Sequence, residues 1–122
     1  MKKFGYVDSF VIPVPKKNLV KYKKWAKVAG TVWCDHGALG YFECAADDVE
    51  KGKVTSFPQS VKLKSGEVVM MGFATYKSKS DRDRVMKKVM ADPRLAPYMN
   101  PDAMIFDGMR MFWGGFKPVV NF

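Results

Sequence analysis

The chain has 122 residues, of which 48% are hydrophobic, so it is long enough and apolar enough to fold around one core. Its net charge of +9 attracts anions without specifying a fold, and no apolar run is long enough to cross a membrane. Residues 1–4 begin like a signal peptide, but Asp8 interrupts the apolar stretch that should follow. We therefore expect one domain over residues 1–122, located in the cytoplasm and without membrane contact.

Hydrophobic periodicity predicts a strand, a helix and a second strand in the first part of the chain. Residues 4–14 are predicted to form the first strand and residues 38–46 the second. Between them, residues 16–36 are predicted to form a helix that ends at Gly37, because glycine accepts the left-handed conformation of a helix stop. The residues of its apolar face recur every three or four positions: Leu19, Tyr22, Ala26, Ala29, Trp33 and His36.

The second part of the chain repeats this order. Residues 67–77 are predicted to form the third strand and residues 80–92 the second helix, which begins with Ser80 and Asp83 as a capping box. A short helical turn is expected over residues 94–99, and the fourth strand over residues 109–120, with a bulge or bend at Gly114 and Gly115. Residues 47–66 are rich in turn formers and are expected to form either a functional lid or an extra hairpin arm.

The predicted fold class is therefore α+β, a ferredoxin-like βαββαβ domain with an antiparallel sheet. Both faces of its strands are apolar, as the third strand illustrates with Met70 and Ala74 on one side and Met71 and Phe73 on the other. Two helices on one face leave the other uncovered, and a large exposed apolar patch marks an interface. We expect the cover to be a second copy, because twofold homodimers are the commonest assemblies.

Four segments of the chain form an ordered set of motifs: GYVDSFVIPVP at residues 5–15, WCDHGAL at 33–39, VTSFP at 54–58 and FDGMRM at 106–111. In this order they resemble the bacterial YbaA-like family (DUF1428), a family of unknown function. The resemblance implies the dimeric α/β-barrel superfamily, in which two ferredoxin-like sheets pack face to face. That superfamily includes cofactor-free monooxygenases, isomerases, haem-degrading enzymes and ligand binders, so it does not select a reaction.

Metal and redox sites are not expected, and neither is a cofactor. His36 is the only histidine, and its neighbours Cys34 and Asp35 point about 100° apart on a helix, so they do not converge on one ion. Cys34 and Cys44 form no CxxC pair, and we interpret them as buried small apolar residues. His36 is either a helix C-terminal cation or, as the candidate catalytic residue, a general acid or base.

Three charged residues lie among apolar neighbours in predicted strands, where an unpaired charge is costly. They are Asp8, Glu43 and Arg110. They form either a structural ion pair, with Arg110 joined to Asp8 or Glu43, or the polar anchors of a small-molecule site. The candidate wall of that site consists of Trp33, Tyr6 and Trp113.

The leading functional hypothesis is a protein that binds a small apolar or aromatic molecule in a pocket between sheet and helices, and turnover of that molecule is left open. Whether it is an enzyme is left open. The alternative is an RNA-binding module, since RNA-recognition motifs share the βαββαβ order and both helices are rich in Lys and Arg. Nucleic acid is not favoured, because an RNA-recognition motif should have a basic residue before Gly72 and an aromatic residue two positions after it. This chain has Met71 and Ala74 at those positions. The third hypothesis is a structural or stress-related homodimer without a ligand.

Overall fold

The computed structural model describes residues 3–122, which form four strands and three α-helices. The strands and the two long helices follow the predicted βαββαβ order, and a third, short helix lies between the second and third strands. The strands are β1 (Tyr6–Pro15), β2 (Gly40–Ala45), β3 (Glu67–Tyr76) and β4 (Phe112–Phe116). The helices are α1 (Leu19–Asp35), α2 (Phe57–Ser60) and α3 (Lys79–Met90), with short 3-10 turns at Lys16–Asn18, Ala96–Tyr98 and Pro101–Ala103. Within residues 3–122 no helix combines the length and the apolar character needed to cross a membrane.

The four strands form one antiparallel sheet in the order β2-β3-β1-β4. This is the strand order of the ferredoxin-like fold, so the predicted fold class is confirmed. The central pair β1 and β3 aligns over its whole length, from Tyr6 opposite Tyr76 to Pro15 opposite Glu67. β4 is shorter than predicted, since the chain from residue 117 onward leaves the sheet.

The predicted bulge in β4 is wrong. The pairing of β4 with β1 continues without interruption through Gly114 and Gly115, which lie opposite Ser9 and Asp8. Gly115 instead makes room for a neighbouring ring, because a Cβ placed there would lie 2.7 Å from Cε2 of Tyr6. Gly115 therefore serves packing rather than a change of strand direction, whereas a Cβ at Gly114 would make only ordinary contacts.

The helix ends follow local chemistry and differ from the prediction by one or two residues at two of them. α3 is capped by Ser78, whose hydroxyl accepts from the Asp81 amide at 3.1 Å, so the capping pair lies two residues before the predicted Ser80 and Asp83. α1 ends one residue earlier than predicted, with His36 as its C-cap and Gly37 at φ +118°. The left-handed turn at Gly37 fits the expected helix stop.

The segment 47–66, all of which the structure describes, contains α2 and no hairpin. Ser56 caps α2 by accepting from the Gln59 amide, and Val61 then packs against Val11 and Val69 on one face of the sheet. The extra hairpin arm is therefore wrong, and the segment covers one end of the sheet face opposite α1 and α3.

The main core lies between the sheet and the two long helices. Tyr76 packs against Val32 of α1 and Val85 of α3, while Ile12 and Val14 pack against Tyr22 of α1 in an adjoining cluster. All of these side chains are almost fully buried. The predicted apolar face of the first helix is largely confirmed, because Tyr22 and Ala29 are buried and Trp33 and Ala26 are partly buried.

The opposite face of the sheet, which we call the open face, carries exposed aromatic rings. By strand alternation it presents Phe42, Phe73, Phe112 and Phe116. Phe112 and Phe116 are 46% and 59% exposed, and the Phe42 and Phe73 rings lie 5.3 Å apart. The expectation that two helices leave this apolar face uncovered is met only in part, because Val61 covers Val11 and Val69 at one end while the phenylalanines stay partly or largely exposed.

The two cysteines are not buried. Cys34 and Cys44 are both free and exposed, which corrects the interpretation of them as small core residues. Cys34 lies on the outer side of α1, and Cys44 lies on β2, the six-residue strand at the edge of the sheet. An edge strand with few neighbours cannot bury every side chain that its hydrophobic pattern suggests.

Candidate functional site

A cavity of about 250 Å³ lies between the sheet and the helices, and we call it the inner cavity. Its lining comes from β1, β2, β3, β4, α1, α3 and the loop before β4, so it forms only when the whole domain is assembled. Six of its lining residues are aromatic: Phe10, Trp25, Trp33, Tyr41, Phe106 and Trp113. Three methionines, Met86, Met90 and Met111, fill the gaps between the rings, as flexible thioethers do in adaptable apolar sites.

One carboxylate interrupts this apolar lining. Asp8 is only 5% exposed and lies in β1. Its Oδ2 accepts a hydrogen bond from the Tyr76 hydroxyl at 2.9 Å, and that hydroxyl accepts from the Trp33 indole at 3.1 Å. This chain of hydrogen bonds fixes both the carboxylate and the orientation of the Trp33 ring.

The second oxygen of Asp8 is less well satisfied. Oδ1 lies 3.6 Å from a guanidinium nitrogen of Arg82, which is an ion pair but not a hydrogen bond. Within residues 3–122 it is a buried atom without a hydrogen-bond partner. Oδ1 has almost no accessible surface, so it lies inside the protein beside Arg82 rather than exposed in the cavity.

Burial dominates the electrostatics of Asp8. It raises the pKa of the carboxyl above its usual value, while the hydrogen bond from Tyr76 and the charge of Arg82 act to lower it. Arg82 itself is held over the Tyr6 ring at 5.0 Å and donates to the Tyr6 hydroxyl at 3.3 Å. Tyr6 therefore positions the cation that faces Asp8.

A second apolar chamber of about 290 Å³ adjoins the first. The two share Trp25, Trp33, Met90 and Phe106, and the second is closed by the segment 95–105 that follows α3. Met90 is 51% exposed, and at the inner cavity Trp113 is 55% exposed, so both residues lie where the apolar space meets solvent.

Glu43 forms a separate polar cluster on the other side of Tyr41. It accepts hydrogen bonds from the hydroxyls of Tyr41, at 2.7 Å, and Tyr22, which is fully buried. Burial raises the pKa of Glu43, and the two hydroxyls partly offset that rise. With both carboxylate oxygens engaged, Glu43 acts in the structure as a bridge between β2 and α1.

His36 lies elsewhere, in a network of ion pairs. Its Nε2 is 2.8 Å from Asp92, whose pKa is held far below its usual range mainly by hydrogen bonds from Arg94. His36 joins the end of α1 to the segment that follows α3.

Arg110 binds Glu67 through two nitrogens, at 2.8 and 2.6 Å, and Asp107 through a third. It also donates to the carbonyls of Val61 and Lys62, so it fastens the loop after α2 to the segment before β4. The suggested pairing of Arg110 with Asp8 or Glu43 is wrong, because Arg110 lies at the turn before β4 rather than within a strand.

Sequence comparison places the chain among known proteins. A family model described as "Protein of unknown function (DUF1428)" matches residues 5–108. The chain belongs to this family. It is 40% identical over 116 residues to the uncharacterized protein YbaA of Escherichia coli K12, covering 95% of this chain and 97% of that protein, and the same values hold for YbaA of Shigella flexneri. The resemblance carried by the four segments is thereby confirmed.

Structural comparison relates this DUF1428 protein to a nipsnap family protein with unknown function from Agrobacterium tumefaciens str. C58. The TM-score is 0.54, the identity is 16%, and the match covers 94% of this chain and 88% of the other. At this identity the likeness supports the fold alone.

In this DUF1428 protein three of the predicted site residues share one cavity: Asp8, Trp33 and Trp113. Glu43 is one contact away, through Tyr41, whereas His36, Arg110 and Tyr6 do not line the inner cavity. The functional role of each residue stays a prediction. Within residues 3–122 no three His, Cys, Asp or Glu side chains come close enough to hold a metal ion.

Sequence reasoning missed Tyr76 and Arg82, which hold Asp8 in place. The signal for Arg82 was present, since it precedes the buried Val85 by three residues and Val89 by seven and so shares the inward face of α3. For Tyr76 the signal was absent, because the hydrophobic pattern marks a strand tyrosine as apolar and gives no sign of where its hydroxyl will bind.

Proposed function

We propose that this protein binds a small apolar or aromatic molecule in the inner cavity. The observation that carries the proposal is the inner cavity itself, an apolar space lined by six aromatic residues and one largely buried carboxylate, Asp8. A concave apolar pocket with a few placed polar groups is the usual form of a small-molecule site. Trp33 and Trp113 supply aromatic walls, and Asp8 supplies the polar anchor.

The proposal is one of binding rather than of a stated reaction. Among the described residues, Asp8 is the one carboxylate that lines the cavity, so proton transfer to or from a ligand there would use Asp8. The expected acid or base, His36, is paired with Asp92 outside the cavity lining. A catalytic role for His36 would need the end of α1 to move.

Blocking the cavity tests the proposal. Met90 is half-exposed and lines both chambers, so Met90→Trp should fill the opening with little strain. We expect the affinity for naphthalene-sized aromatic probes, measured by isothermal titration calorimetry, to fall at least about tenfold, a change worth ~1.4 kcal/mol. Met109→Trp is the matched control, because Met109 is 94% exposed and lines neither chamber.

If neither the wild-type protein nor the Met109→Trp variant binds any aromatic probe, the proposal is refuted. Equal binding by all three proteins would place the ligand outside the inner cavity and would likewise overturn the assignment.

We further propose that a second copy of the chain covers the open face. Its exposed phenylalanines form an apolar surface across the strands, whereas monomeric proteins rarely leave large patches of this kind in water. A stable dimer would bury more than ~1,200 Å² in total. Phe112→Asp should therefore give monomers or aggregates in analytical ultracentrifugation at tens of micromolar.

The control for the dimer is Val20→Asp, since Val20 is 81% exposed on α1, which packs against the other face of the sheet. This variant should sediment like the wild type. A wild-type protein that sediments as a monomer at the same concentration would contradict the proposed dimer.

A cytoplasmic location suits two exposed free thiols, which persist in a reducing compartment. RNA binding ranks below small-molecule binding, because many of the exposed lysines lie on the helices, whereas the exposed phenylalanines of the strands lie on the opposite face. A single-stranded RNA surface combines both on one groove.

A further inference from the structure

We propose that the inner cavity and the second chamber together bind one elongated ligand, an aromatic body that carries an aliphatic tail. The aromatic body occupies the inner cavity, and the tail extends into the second chamber, toward the segment 95–105. This inference rests on the proposed binding function and adds the chemical class of the ligand and a second part of the site.

The two chambers share one wall. Four residues line both spaces, and they are Trp25, Trp33, Met90 and Phe106. Because each of these side chains borders both chambers, the wall between them is one side chain thick. A change in one shared side chain is therefore enough to join the two spaces.

Three of the four shared side chains are held in place. The Trp33 indole donates to the Tyr76 hydroxyl at 3.1 Å. The Trp25 and Phe106 rings lie 5.8 Å apart. Both also pack against the fully buried ring of Tyr22, at 5.3 and 5.8 Å. These rings therefore form the fixed part of the wall.

Met90 is the adaptable part of the wall. It is the last residue of α3 and is half-exposed, so its side chain is not confined on all sides. An unbranched thioether side chain adapts to its neighbours more readily than a packed ring does. We therefore place the junction between the aromatic body and the tail beside Met90.

The residues that the chambers do not share explain which part of the ligand lies in which chamber. The inner cavity adds three aromatic rings, those of Phe10, Tyr41 and Trp113. Apart from one tyrosine, the second chamber adds only aliphatic and thioether side chains: Leu95, Met99, Ala103, Met104 and Ile105. Aromatic rings pack well against one another in offset or edge-to-face arrangements, whereas flexible thioether and aliphatic walls fit a chain of methylene groups.

The second chamber also limits the tail. No Asp, Glu, Lys, Arg or His among residues 3–122 lines it, so a charge buried there would have no partner. Its volume is about 290 Å³, and a methylene group takes up about as much space as a water molecule, roughly 30 Å³, so the chamber holds up to about nine methylene groups. Met99 and Met104 in its lining are partly exposed, so a longer tail emerges into water there.

A series of neutral dyes with one ring system tests the inference. The dyes are 2-acyl-6-(dimethylamino)naphthalenes with acetyl, butanoyl, hexanoyl, octanoyl and dodecanoyl chains, titrated by fluorescence at concentrations at which the dyes do not aggregate. We expect the affinity of the wild-type protein to rise about twofold to fourfold for each added methylene up to the octanoyl dye, as the burial of methylene groups predicts. From the octanoyl to the dodecanoyl dye the total gain should be less than about threefold, because the added carbons stay in water.

Filling the second chamber should remove the effect of chain length. Met104→Trp enlarges a partly exposed side chain that lines the second chamber and not the inner cavity. The acetyl dye should bind this variant within about twofold of the wild type, and the octanoyl dye should bind no more than about threefold more tightly than the acetyl dye. Ala103→Trp fills the same chamber from an exposed position and gives the same test if Met104→Trp does not fold.

Met109→Trp is the matched control, because Met109 is exposed and lines neither chamber. It should keep the wild-type dependence on chain length, and loss of that dependence in the control would overturn the assignment to the second chamber. An affinity of the wild-type protein that does not change with chain length would refute the tail while leaving the proposed binding function intact. A dependence that persists in both Met104→Trp and Ala103→Trp would place the tail elsewhere and would refute the inference as well. Failure of every dye to bind the wild-type protein would refute the proposed function itself.

Discussion

Removing one hydroxyl from the Glu43 cluster should destabilise the protein in a way that depends on pH. Tyr22→Phe keeps the fully buried ring in place and deletes only the donor to Glu43 Oε1. Glu43 then retains the hydrogen bond from Tyr41 at 2.7 Å. The variant therefore isolates one hydrogen bond to a buried carboxyl without opening a cavity.

The free-energy cost of Tyr22→Phe depends on whether Glu43 is charged. Burial raises its pKa above the ordinary value of 4.5, so the folded state binds the proton more tightly than the unfolded state. The contribution of Glu43 to stability is therefore greatest below pH 4.5 and declines as the pH rises through the folded pKa. Loss of the Tyr22 hydroxyl raises that pKa further, so the cost of Tyr22→Phe should grow from about 0.5–1.5 kcal/mol at low pH to about 1.5–3 kcal/mol above the folded pKa.

Urea unfolding followed by tryptophan fluorescence, at a series of pH values and one fixed protein concentration, measures this cost. Tyr98→Phe, at a half-buried tyrosine that lines the second chamber, should change the free energy of unfolding by less than about 0.5 kcal/mol. In a Glu43→Gln background the pH dependence of the Tyr22→Phe cost should disappear. A cost that stays constant as the pH rises from below 4.5 through the folded pKa of Glu43 would refute the argued role of Glu43 ionisation.

Three further predictions concern packing, an ion pair and charge. Gly115→Ala should cost about 1–3 kcal/mol in urea unfolding because its Cβ would press on the buried Tyr6 ring, whereas Gly114→Ala, with only ordinary contacts, should be tolerated. Arg110→Met should lower the urea midpoint at pH 7 but much less at acidic pH, because Arg110 lowers the pKa of Glu67 and that stability is lost as the pH falls from 4.5 through the folded value. RNA binding should be weak, independent of sequence and steeply reduced by salt in filter-binding assays. Tight binding of one RNA at physiological salt would instead support the RNA-binding alternative.

The order of helices and strands was predictable because each long helix or strand has its own hydrophobic periodicity. α1 and β3 combine strong periodicity with a buried face, and the pattern places both to within a few residues. The misplaced features depended on contacts between distant segments. Whether Gly115 marks a bulge or a close approach depends on Tyr6, which lies at the other end of the chain. The sequence near Gly115 contains no sign of that neighbour.

The candidate site, too, was predictable where the signal is local and unpredictable where it depends on distant contacts. A carboxylate inside an apolar strand pattern was enough to single out Asp8, and the structure places it beside Trp33 and Trp113. The cation that pairs with Asp8 could not be chosen in advance, because the chain has several Arg residues and only the packing of the helices and loops on the sheet decides which one is near. Arg82 reaches Asp8 from α3, whereas Arg110 lies at the turn before β4 and binds Glu67.

The position of β1 in the sheet has a consequence for how the chain folds. β1 is central, but its two neighbours are β3, at residues 67–76, and β4, at residues 112–116. During synthesis β1 therefore leaves the ribosome long before β3 and β4. Until they follow, its backbone has no strand partner and its apolar side chains stay exposed. Folding dominated by such distant pairings is slow and exposed to aggregation.

Asn121 donates to the Phe4 carbonyl at 2.7 Å, so a short linker could join the two ends of the described chain. A circular permutant that begins after α2 would place β1 directly after β4, and we expect it to refold faster than the natural order.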